Sequence, residues 1–112
     1  MEMWNLMNLN VEPHQPQVLR SDEDAARVIA IDLPSGESLQ DHEVHEHAWL
    51  HVHHGTVEVE AGTESRPAPA GSLIHFSPGE RHEVRATEDA TLLLILAPWP
   101  GDGHPNRTSA PA

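Results

Sequence analysis

The sequence predicts an all-β domain, a barrel or sandwich of short antiparallel strands. Three observations carry this prediction. Seven or eight short apolar or alternating runs recur at spacings near ten residues, turns rich in Gly and Pro separate them, and no stretch supports a helix of useful length. At 112 residues the chain makes one domain with room for a modest core.

Residues 1–10, MEMWNLMNLN, form an apolar but unpatterned arm. Burying Trp4, worth about 2 kcal/mol, favours docking of that arm on its own domain or on a partner. Residues 11–17, with Pro13 and Pro16, read as extended linker. Ser21 lies three residues before Asp24, a capping-box arrangement with space for a single helical turn. The arm and linker therefore occupy 1–26 and the barrel 27–97. Its first strand is 27–33, RVIAIDL, ended by Pro34, Ser35 and Gly36. Strands at 39–44 and 48–53 read as a pair, 57–61 alternates as VEVEA up to Gly62, and 64–68 is weak and closed by Pro67 and Pro69. Strands at 73–76 and 82–85 follow the turns at Gly71 and Gly79. The run 90–97, ATLLLILA, is apolar on both faces, which requires a central position or a covering partner subunit. The tail 98–112, rich in Pro and Gly, is expected to form no ladder and to fray after about His104.

Charge and composition exclude several functions. Eighteen acidic residues against six basic ones give a net charge of −12, which repels nucleic acid and anionic membranes. The absence of cysteine removes disulfides, thiolate ligands and thiol nucleophiles. The start of the chain has no basic segment followed by a long apolar run, and the apolar run 92–98 is too short to span a bilayer, so a cytoplasmic protein is expected. Ser77 lacks a nucleophile-elbow context and the glycines lack a phosphate-loop pattern.

The chemistry concentrates in 36–55, GESLQDHEVHEHAWLHVHHG, with six of the ten histidines. On a continuous strand, His42, Val44, Glu46, Ala48, Leu50, Val52 and His54 share one mostly apolar face, which is the inner one. The other face carries Glu43, His45, His47, Trp49, His51 and His53. Same-face neighbours sit roughly 7 Å apart, so a His-x-His pair can reach one ion, and neutral imidazole suits zinc, copper, nickel and iron. The outer row also fits a dimer-bridging metal site or an acid-triggered switch. Trp49 reads as packing.

Two spaced motifs resemble those of the cupin superfamily, G(X)5HXH(X)3E(X)6G and G(X)5PXG(X)2H(X)3N. Gly36, His42, Val44, Ala48 and Gly55 reproduce the first spacing, and Gly71, Ser77, Gly79, His82 and Ala86 the second, with fifteen residues between them. The resemblance implies a single-domain jelly-roll barrel of antiparallel strands over about 27–97, and a homodimer. It also implies a divalent ion (Zn, Ni, Cu, Mn or Fe) at His42, Val44, Ala48 and His82, of which His42 and His82 alone carry ligand atoms. Glu46, sharing the parity of His42, is the recruit that would complete the set or serve as a catalytic base. His45 or His47 would join if the turn breaks the alternation, and His54 and His75 stand further off. A second register, His45, His47 and His51, has ligand spacing of its own but misplaces Gly36 and Gly55. A small-molecule pocket is expected around Leu50, Val52, His75 and Phe76. The function so implied is a metal-binding cupin of dioxygenase or isomerase type, and the alternative is a metal-free module that binds or senses a small acid or sugar.

Overall fold

The computed structural model describes residues 1–42 and 44–104, with the backbone alone at 40–42. Among the described residues nine strands follow one another: β1 (Gln17–Ser21), β2 (Ala25–Leu33), β3 (Ser38–His42), β4 (His47–His54), β5 (Thr56–Ala61), β6 (Glu64–Pro69), β7 (Leu73–Phe76), β8 (His82–Ala86) and β9 (Ala90–Trp99). They form two sheets, ordered β1-β2-β9-β4-β7 and β3-β8-β5-β6, with every pair antiparallel. The core lies between them. Leu33, Leu50, Val52, Phe76 and Leu92 of the larger sheet face Val57, Val59, Ala68, Val84 and Ala86 of the smaller.

β9 occupies the centre of the larger sheet, between β2 and β4, as its two apolar faces require. Across it, Ile31 and Val52 both pair with Leu92, which fixes the inward register on both sides.

Four expectations need correction. The segments 39–44 and 48–53 do not pair with each other: β3 pairs with β8, while β4 pairs with β7 and β9. The chain changes sheet between them, and the Gly79 N–H donates to the Val44 carbonyl at 2.8 Å where it crosses. No helical turn forms at 21–26. The acidic run is a hairpin turn instead, with Asp24 at φ 63° and Ala25 N–H bonded to the Asp22 carbonyl. It joins β2 to β1, an edge strand that the polar segment QVLRS does not announce. β6 runs through Pro67 and Pro69 because it too is an edge. Two residues apart, both prolines turn the side that lacks an N–H the same way, toward the open edge, and this blunts it against further pairing. Finally, β9 continues past Ala97 to Trp99, which pairs with Ala25 beyond a register shift that accommodates Pro98.

The N-terminal arm docks, but not through Trp4, which stays exposed. Leu6, Met7, Leu9 and Val11 lie against Asp32, His53, His54 and Thr91 around a space of about 210 Å³. Arg20 of β1 ties the arm to the strand through Glu2 and pairs also with Asp22 of the turn that follows. Among the described residues no helix is long and apolar enough to cross a membrane.

Candidate functional site

The interior holds two buried polar side chains among the described residues, Glu46 and His82. His82 opens β8, whose inward positions alternate as His82, Val84 and Ala86. The preceding turn is closed by Glu80 N–H to the Ser77 carbonyl and by Ser77 N–H to Glu80 Oε1. That closure places the Glu80 carbonyl 3.1 Å from His82 Nδ1. A carbonyl can only accept, so Nδ1 carries a proton, and in the neutral ring the lone pair lies on Nε2. The ring stacks on Phe76 with centroids 3.9 Å apart and planes 9° apart. In the ladders His82 stands opposite His42 on β3 and opposite Ala61 on β5. The side chains of His42 and Glu43 lie outside the described residues.

Glu46 sits on the bend before β4, 1% exposed, and its Oε2 accepts the Gly101 N–H at 2.6 Å. The approach is close enough that a Cβ at position 101 would lie 2.3 Å from the His45 carbonyl oxygen. The segment after β9 therefore straps over the 45–46 bend. Trp99 underpins this strap: the Arg27 guanidinium lies 4.7 Å above its ring, and the His104 ring packs edge-on against it at 4.6 Å. His45 faces this strap, with its ring 5.9 Å from that of His104.

β4 alternates as expected, with Ala48, Leu50 and Val52 buried and His47 and Trp49 exposed. The outer histidines nevertheless do not act as one row. His47 Nδ1 lies 2.8 Å from His75 Nε2 on β7, with the rings stacked at 5.1 Å. His51 Nδ1 donates to the Ser72 carbonyl at 3.2 Å, and His53 meets Met7 of the arm. His54 lies at the arm cavity.

Of the residues expected to form a small-molecule pocket, Leu50 and Val52 pack in the core. His75 and Phe76 line a cleft of about 410 Å³ between the edges of β6 and β7, together with Val59, Ala61, Arg66 and Glu80. The cleft reaches the Phe76 ring that stacks on His82. Among the described residues no three His, Asp or Glu side chains converge so as to hold a metal ion. The strap residues Trp99, Gly101 and His104 were not singled out in the sequence. Their signal is a Trp and a His placed among prolines and glycines, a composition otherwise read as a loose tail.

A family model described as "Cupin domain" matches residues 29–98. No curated protein matches the chain. Among solved structures it is similar to an RmlC-like cupin protein from Desulfovibrio desulfuricans, with a TM-score of 0.77 and 21% identity over 88% of this chain and 97% of that one. A Cupin 2 conserved barrel domain protein from Salinispora arenicola gives 0.66 and 21% identity, with 85% of each chain covered. KdgF from Halomonas sp. gives 0.66 and 21%, covering 78% of this chain and 82% of that one. At these identities the likeness is one of fold.

Proposed function

We infer the function from one premise, that this chain belongs to the cupin domain family, whose matched segment includes His42, Glu46 and His82. It is a small cupin that takes a divalent transition ion at the end of the barrel where β3 and β8 pair. The observation that supports this reading is the pair of buried polar side chains, His82 and Glu46, in an interior that is otherwise apolar among the described residues. Burying such groups is costly unless they are bonded or put to use.

The donors fit an imidazole-preferring ion. The Glu80 carbonyl holds His82 in the tautomer that presents Nε2, the outer-shell arrangement typical of ligating histidines. His42 stands directly across the ladder, where Cα atoms of paired strands come within about 5.5 Å. Glu46 supplies a carboxylate as third donor or as general base, and the Gly101 N–H orients it. Val44 and Ala48, which take two of the four expected ligand positions, leave the ion open to a small molecule entering by the cleft beside Phe76. Bound there, the ion would act as a Lewis acid on that molecule. An enolate or hydroxy acid is the class such an open site would take, in reactions of dioxygenase or isomerase type.

Elemental analysis of untagged protein purified without chelating resin tests this. The reading expects near one tightly held ion per chain, lost in the H42A/H82A double variant while the fold persists by circular dichroism. No ion, with no shift in melting temperature on adding Zn, Ni, Cu, Mn or Fe(II), would overturn it. A second reading, a metal-free binder of a small acid or sugar, then stands, favoured by the methyl groups that Val44 and Ala48 place at ligand positions.

A further inference from the structure

We propose that His47 and His75 form a separate, surface site for a divalent transition ion, which is completed by the same two residues of a second copy of this chain. The site does not depend on the barrel reading. β4 and β7 pair in the register Ala48 to Phe76 and Trp49 to His75, so His47 and His75 lie diagonally on the outer face of the larger sheet. His47 Nδ1 and His75 Nε2 converge to 2.8 Å, a separation that requires one proton between them. Two nitrogens bound to one tetrahedral zinc at about 2.0–2.1 Å stand roughly 3.3 Å apart. Opening the pair by about half an ångström therefore lets an ion take the place of the shared proton, which passes by exchange with solvent to the other nitrogen of its own ring, so that both ligands are neutral imidazoles. The Trp49 ring, 4.4 Å from that of His75, holds the second ligand in position.

Two imidazoles alone leave half of a tetrahedral shell open, and among the described residues no third donor joins them. A two-fold contact supplies two more of the same kind, because an isologous interface sets a patch against itself. Trp49 and Leu73, 40% and 63% exposed, flank the pair and provide apolar surface for such a contact. The net charge of −12 on each chain opposes association, and a shared dication reduces that repulsion. Association by this face is thus expected to depend on the ion.

The test is sedimentation and titration with Zn(II), and electron paramagnetic resonance with Cu(II). In the H42A/H82A background, which lacks the barrel ligands, the expected results are a doubling of the 12.3 kDa mass at one ion per two chains, and four nitrogens around copper. H75A and H47A, both at exposed positions, should abolish the doubling without changing the melting temperature of the metal-free protein. H42A/H82A should leave it intact, which separates this site from the barrel. Ion-dependent doubling that survives H75A, an ion still bound by single H42A/H82A chains without a change in mass, or a dimer that ignores EDTA would each overturn the proposal.

Discussion

Gly101 and Glu46 show how one backbone hydrogen bond can hold a buried carboxylate in an apolar interior. Replacing Glu46 by Ala leaves the Gly101 N–H without its acceptor, and the unfolding free energy should fall by about 1–3 kcal/mol. Gln keeps an acceptor oxygen at the same place, so E46Q should lose less, and urea midpoints of the two variants would rank them. Gly101→Ala drives a methyl into the His45 carbonyl, which is backbone and cannot swing aside. A cost of about 1–3 kcal/mol is expected for such overpacking, and an unchanged midpoint would contradict the close approach. The burial of Glu46 was legible in the sequence, since it shares the parity of Ala48, Leu50 and Val52. Its partner was not, because 55 residues separate the two and no local pattern links them.

The elements that announced themselves are those whose own residues dictate their burial. Strand β4 alternates cleanly, and the double-sided run of β9 forces it to the centre. Elements fixed by a neighbour were silent: β1 exists because β2 offers an open edge, and β6 tolerates two prolines because no strand among the described residues pairs beyond it. The strap after β9 belongs to this second group. Deleting residues 101–112 should leave both sheets formed while raising amide exchange at 44–47, because the bond from Gly101 to Glu46 and the His45–His104 contact go together. Exchange at 28–31, inside the β2–β9 ladder, serves as the control and should not change. Faster exchange there would mean that the tail supports the sheet as a whole rather than the bend alone.

For the whole molecule, the imbalance of charge governs behaviour in solution. Protonating all ten histidines takes the formal charge from −12 to −2, and the sequence pI is near 5.0. Solubility should therefore fall steeply as the pH drops from about 7 to 5.5, since imidazoles titrate in that window. Turbidity across that range, repeated at 0.5 M NaCl, would show whether lost repulsion is the cause, because salt should then flatten the profile.

The position of β9 also bears on how the chain is made. Of the nine strands among the described residues it is the last to be synthesised, yet it is the spine to which both β2 and β4 attach. Until residue 99 has cleared the ribosome, β2 and β4 have no common partner, and Ile31, Leu50 and Val52 wait without the surface that covers them. Acquisition of the fold is thus delayed to the end of translation of this domain, and for as long as the wait lasts the nascent polypeptide exposes apolar segments of the kind that chaperones bind.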